Sequence, residues 1–405
     1  NGEPVNMSNS ADIRYDRSVV IPTLLGILSL AVVLQWDVSS RQLLLFLIAA
    51  ALGVSLFHAA FGFAGGWRRF LRERRSAAIR AQLVLLALAS TAFFPLLAGV
   101  LPGVSLQGAY APAGVSVLLG AFMFGIGMQL GSGCGSGTLY TVGGGQVRML
   151  ITLSFFIVGA VVGSVHLPWW LKLPSLGSVS LPASIGWQGA LLLQLFILVL
   201  LYVLVAGSER RRFGQLEAIA GVKQQQSMPR RIMFGPWPLL WGALSLALLS
   251  LATLLVAGHP WSITFAFGLW GTKLWSALGG DIRTWSYWTG GYPALALQRS
   301  VLADATSVMD FGILLGALLA AGLSGSFAPA DRVRGLDVLT AVVGGLLLGY
   351  GARLAFGCNI GGLLAGIASG SLHGWLWLVA GFAGTMLGVR LRIFLGVDPP
   401  VGSGH

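Results

Sequence analysis

A 405-residue chain that is 56% hydrophobic and only 9% charged lacks the polar surface a soluble fold needs, so it reads as an all-α polytopic integral membrane protein. Its net charge of +12 does not indicate nucleic acid, because the basic residues gather in loops between apolar runs and are not interleaved with aromatics along a groove. Two cysteines and five histidines give no disulfide framework and no metal site, since His58, His166, His259 and His373 are far apart and no carboxylate stands near them.

In chain order, residues 1–17 are a polar N-terminal tail without the basic start and cleavage site of a signal peptide; Met7 is a candidate initiator and the terminal His405 carries no functional weight. Apolar runs near 18–36, 43–66, 81–101, 113–130, 148–166 and 187–206 have about the 20 residues that cross a hydrocarbon core. They make up a first membrane repeat over 18–206. Arg68, Arg69, Arg72, Arg74, Arg75 and Arg80 mark one connection as cytoplasmic by the positive-inside rule, whereas the charge-poor loop from Leu167 to Gly186, with Trp169 and Trp170 at its start, belongs outside. A linker over 207–235 breaks the apolar pattern with Arg210, Arg211, Arg212, Lys223, Gln224 to Gln226, Pro229, Arg230 and Arg231. A second repeat over 236–395 contains runs near 236–257, 261–279, 309–327, 336–354 and 373–391, and 396–405 form a C-terminal tail. Eleven complete crossings in two inverted halves would leave the basic linker outside. One run, with 261–279 the candidate, is therefore expected not to cross fully.

The two cysteines lie in matching glycine-rich breaks. Placing Cys134 on Cys358 superposes Gly120 on Gly344, Gly125 on Gly349, Gly127 on Gly351, Gly133 on Gly357 and Gly137 on Gly361, all at an offset of 224 residues. After one extra residue in the second copy, Gly159 meets Gly384 and Gly163 meets Gly388. The outer glycines suit close helix packing. The run from Gly131 to Gly137, with glycine at every second position, does not; it predicts a broken backbone, tolerated at membrane depth only where it is buried or lines a polar cavity. The N–H groups that open the following short helix then attract anions, and Gly133, Gly135 and Gly357 let a substrate approach the backbone beside each thiol.

Arg353 and Gln129 occupy equivalent positions, five residues before each cysteine. A cation and an amide donor there suit an anionic substrate, and Lys273 and His58 are further candidates for the pathway. Asp310 is expected to cap the helix that begins near 309, so no secure carboxylate lies inside a span. That composition favours anion passage over proton-driven or cation transport. No nucleotide motif and no catalytic constellation is legible; the reading is a non-enzyme with no cofactor, no metal and no catalytic residue.

At Gly125-Ile-Gly127-Met-Gln-Leu-Gly131-Ser-Gly133-Cys134-Gly-Ser-Gly137-Thr138-Leu139 and Gly349-Tyr-Gly351-Ala-Arg353-Leu-Ala-Phe-Gly357-Cys358-Asn-Ile-Gly361 the chain resembles the YeeE/YedE family of sulphur-transport membrane proteins. The resemblance covers about residues 40–395. It implies an inner-membrane protein with pseudo-two-fold inverted repeats and an hourglass profile, in which short or re-entrant helices meet at a central constriction. It also implies thiosulfate as substrate, handed between Cys134 and Cys358 by hydrogen bonds from the thiols to its terminal sulfur. Family carriers of thiosulfate have a further cysteine in an early Arg-Phe-Cys type motif; here the corresponding stretch from His58 to Phe70 has none. Other sulfur or selenium compounds, or a persulfide relay to a soluble sulfur-carrier protein, are the alternatives.

Overall fold

The computed structural model describes residues 15–103, 105–221, 227–329 and 333–399. Lys223, Gln224 to Gln226, Met7, His405 and most of the two terminal tails lie outside these residues. The described chain is helical, with two isolated β-bridges (Gly114 to Ser175 and Ser180 to Ser371). The first seven helices are α1 (Arg17–Val33, extended by a π turn over Leu34–Val38), α2 (Ser40–His58), α3 (Phe63–Glu73), α4 (Ala77–Leu97), α5 (Val115–Leu130), α6 (Gly135–Gly143) and α7 (Val147–Trp170). After the short α8 (Leu181–Ile185) come α9 (Trp187–Phe213), α10 (Met228–Phe234), α11 (Leu239–Ala257), α12 (Thr264–Ala277), α13 (Gly291–Gln298), α14 (Ala305–Leu323) and α15 (Gly335–Leu354). A π turn over Asn359–Leu364 runs into α16 (Ala365–Ala368), and α17 (Leu372–Phe394) closes the described fold.

Ten helical segments among the described residues are long and apolar enough to cross a membrane. The eleventh apolar run is the exception: α12 has 14 residues, about 21 Å of helix at 1.5 Å per residue. This removes the conflict over the basic linker. The arginine-rich segments meet at one end of the molecule, where Arg69 pairs with Glu217, Arg72 with Asp398, and Arg75 and Arg80 with Glu209. Glu209 and Glu217 place the start of the linker there too.

Small residues let the central helices approach closely. A Cβ built on Gly120 would stand 2.7 Å from Ala355 N and one on Gly127 2.7 Å from Leu348 N, so α5 and α15 run antiparallel. A Cβ on Gly125 would meet Gly384 and Thr385, and one on Gly388 would meet Ile126 and Gln129, so α5 and α17 run parallel. In the matching arrangement, Gly159 meets Leu346 and Gly163 meets Tyr350 and Arg353, so α7 runs parallel to α15. The outer pairs correspond as well: α2 packs on α14 and α11 on α4, while α1 packs on α14 and α9 on α4. Since α5 and α15 carry the same motif in opposite directions, the two cysteine units are inverted.

Candidate functional site

Each cysteine follows the same local path. The helix before it stops at Leu130 or Leu354, and the residue two before the thiol, Ser132 or Phe356, takes a left-handed conformation (φ 64° and 57°). An L-residue adopts this only when its surroundings impose it. Cys134 (φ −90°, ψ −170°) then caps α6 and Cys358 (φ −85°, ψ −164°) caps the π turn that leads into α16. Cys134 Sγ accepts a hydrogen bond from Gly137 N–H at 3.3 Å and stands 3.5 Å from Ser136 Oγ; Cys358 Sγ accepts from Ile360 N–H at 3.4 Å. A thiol that accepts from the backbone keeps its own S–H as a donor. Both residues are buried, and Gly135 separates them: a Cβ built there would stand 2.9 Å from Cys358 Sγ. Two short helical segments thus bring their N-termini and thiols to one buried point.

A cavity of about 720 Å³ leads to this point from the basic end. Its wall includes Arg68, Arg69, Ser132, Gly133, Cys134 and Tyr140, but not Cys358. Arg392 fixes its rim by donating to Gln129 O at 2.7 Å and Ser132 Oγ at 3.0 Å. The same guanidinium binds Asp398 at 2.6 Å, and this hydrogen bond holds the Asp398 carboxyl below its ordinary range.

The other sequence candidates are distributed differently. Gly133 and Cys134 line the cavity, and Gly135 and Cys358 meet behind it. Gly357 has φ 146°, and a Cβ there would stand 2.7 Å from Gly361 C, so only glycine fits the break. Gln129 is fully buried and donates from Nε2 to Ala64 O at 3.1 Å, tying α5 to α3 rather than meeting a thiol. Arg353 lies toward the opposite end, among the rings of Phe265, Tyr287 and Trp288 at 5.9, 5.1 and 6.0 Å, with Nη1 donating to Tyr287 Oη at 2.9 Å. It has no carboxylate partner among the described residues. Lys273 is a correction to the sequence reading: Nζ donates to the carbonyls of Leu297 and Arg299 at 2.7 Å each, at the C-terminus of α13, and is spent there. His58 packs on Trp237 and beneath Gly235 and is not part of the cavity wall.

Two features were missed in sequence. Tyr140, Thr141 and Gly144 join Cys134 and Gly137 on the cavity wall; their helical spacing was a usable signal. Asp310 does not cap α14. That role belongs to Asp304, whose Oδ2 accepts from Ser307 N–H at 2.8 Å, while Asp310 lies in the second turn, fully buried.

Residues 58–387 match the family described as Sulphur transport. The chain is 30% identical over 141 residues to the probable transporter YedE of Escherichia coli, covering 34% of this chain and 33% of that one, so the match spans about a third of that relative's length. It is 25% identical over 342 residues to the thiosulfate transporter TsuA of E. coli, covering 82% of this chain and 88% of that one. To the thiosulfate transporter TsuA of Spirochaeta thermophila it is 27% identical over 273 residues, covering 65% and 73%. With a family match across most of its length and ten apolar helices, the chain is an integral membrane protein that belongs to the sulphur transport family.

Proposed function

We propose that the protein carries thiosulfate across the bacterial cytoplasmic membrane, through the constriction between Cys134 and Cys358. The observation that carries this reading is the pair of equivalent thiols, each bonded to the first N–H groups of a short helix in an oppositely directed unit. The relatives named as thiosulfate transporters support the choice of ion. An anion descending the cavity meets Arg68 and Arg69, then the S–H of Cys134. Thiols bind weakly and desolvate at lower cost than hydroxyls, which suits a polarizable terminal sulfur and rapid release. Arg353, ringed by aromatics and without an acidic partner among the described residues, serves the opposite mouth by attracting the dianion. For the ion to pass from one thiol to the other, the contact between Gly135 and Cys358 opens.

Radiolabelled thiosulfate uptake in cells lacking their own sulfur importers tests the reading. Cys134→Ala and Cys358→Ala are each expected to lower uptake at least tenfold at unchanged membrane abundance. Full uptake by the double variant would overturn the relay. Competition by sulfite or selenium oxyanions at equal potency would move the substrate assignment to that ion instead.

A further inference from the structure

The passage reading leaves the buried carboxyl of Asp310 unused. Asp310 is fully buried in α14, and neither carboxylate oxygen has a hydrogen-bond partner among the described residues. Its helix packs along α6, where a Cβ on Gly143 would meet Leu314 O and Ala317, and α6 opens at Gly135, which abuts the Cys358 thiol. The turn around it is otherwise well satisfied: Trp270 Nε1 donates to Ser307 Oγ at 2.9 Å, and Ser307 N–H and Oγ are held by Asp304. Asn359, the residue after Cys358, is also fully buried with both amide atoms unpartnered. The ionisable side chains on the helices packed against α14 are Arg17 of α1, Arg41 and His58 of α2, Tyr140 of α6 and Lys273 of α12. Arg230 and Arg231 lie on α10, which also touches α14. None of these reaches the Asp310 carboxyl by a hydrogen bond, and Lys273 is committed to two carbonyls.

An ionised carboxylate without a donor or counter-charge is very costly inside a membrane protein, so such a group binds a proton or is paired. We infer that Asp310 is a proton-binding site coupled to passage of the anion past Cys358. The exchange is a simple acid–base step: the carboxylate takes a proton from water on one side and returns it on the other, with no change of oxidation state. Protonated, Asp310 presents no charge to a dianion at Cys358. Ionised, it repels one. Proton and anion therefore stabilise each other's binding, which is the linkage a symporter needs. Asp310 stands on α14 only; α4, which occupies the matching place in the other half, has no acidic residue.

This inference rests on the transport reading, and two measurements keep their failures apart. In proteoliposomes, an inward proton gradient is expected to raise initial thiosulfate uptake at least tenfold in the native protein, less than twofold in Asp310→Asn, and to an intermediate extent in Asp310→Glu. Equal stimulation in Asp310→Asn would overturn the proposal, as would native uptake that responds to a sodium gradient but not to a proton gradient. No native uptake at all would refute the transport reading instead. Infrared difference spectroscopy of the native protein against Asp310→Asn then still decides the proton site. A protonated carboxyl C=O band at neutral pH that is lost in the variant is expected; an ionised carboxylate signature in its place overturns the site.

Discussion

At Gly135 a methyl group would stand 2.9 Å from Cys358 Sγ and 3.2 Å from its Cβ. Gly135→Ala is therefore expected to cut uptake at least tenfold while the purified protein keeps its melting temperature within a few degrees, because the obstruction falls on the proposed passage. Gly357→Ala should behave in the opposite way. Its left-handed backbone and its contact with Gly361 put strain of about 1–3 kcal/mol on the folded state, which thermal melting in detergent would register even in the absence of substrate. Gly357 was legible in sequence from its register with Gly133, and Gly135 from the alternating glycine run around Cys134. The division of labour was not, because it depends on Gly135 facing the other repeat's thiol while Gly357 faces its own turn. Arg353 and Gln129 teach the same lesson: equivalent positions predicted equivalent roles, yet Ala64 captures one and an aromatic cage the other.

Among the elements, α9 depends on one ionised side chain. Glu209 is fully buried; its carboxylate accepts from Ser76 N–H at 3.1 Å and from Glu217 N–H at 3.1 Å, binds the Ser76 hydroxyl, and lies 3.4 Å from both Arg75 and Arg80. Glu209→Ala would leave Arg80 buried without its partner, a change expected to cost about 3–5 kcal/mol, read as a lower melting temperature with unaltered substrate affinity in the surviving fold. Sequence reading placed most crossing helices within a few residues, because 20-residue apolar runs leave little choice. At α12 the orientation of the basic loops, not hydropathy, pointed to an incomplete crossing: a run of similar hydrophobicity is a 14-residue helix flanked by Trp261, Ser262 and Trp288. Sequence reading failed at α14, where the helix begins four residues before the apolar run and turns a supposed capping carboxylate into a buried one. Hydropathy reports how apolar a segment is, not which lone polar residue it encloses.

At the scale of the molecule, an even number, ten, of membrane-length helices among the described residues brings the described N-terminal and C-terminal ends to the arginine-rich end, where Asp16 N–H donates to Gly322 O and Asp398 pairs with Arg72 and Arg392. A fluorescent protein fused after the C-terminus should fluoresce, as it does only in the cytoplasm, and an alkaline phosphatase fusion there should be inactive; the reverse pattern would invert the orientation. The Asp398 clamp also fixes a pH response. Its carboxyl is held below the ordinary range by Arg392, so the stabilisation is complete above the unfolded value of about 3.9 and is lost as the pH falls through the lower folded value. Thermal melts should show Asp398→Asn less stable than the native protein at pH 7, with the gap closing in strong acid. The antiparallel placing of α5 and α15 has a kinetic consequence. On the proposed passage, the two thiol caps have the same backbone conformation in opposite directions, so an ion would meet two like thiol sites in reverse order from either side and the pair of caps alone would give little rectification. On that proposal, a preferred direction would come from the features that one half has and the other lacks, namely the arginine-walled cavity, the caged Arg353 and the acid on α14. Removing those asymmetries should make the protein a two-way conduit before it makes it a closed one.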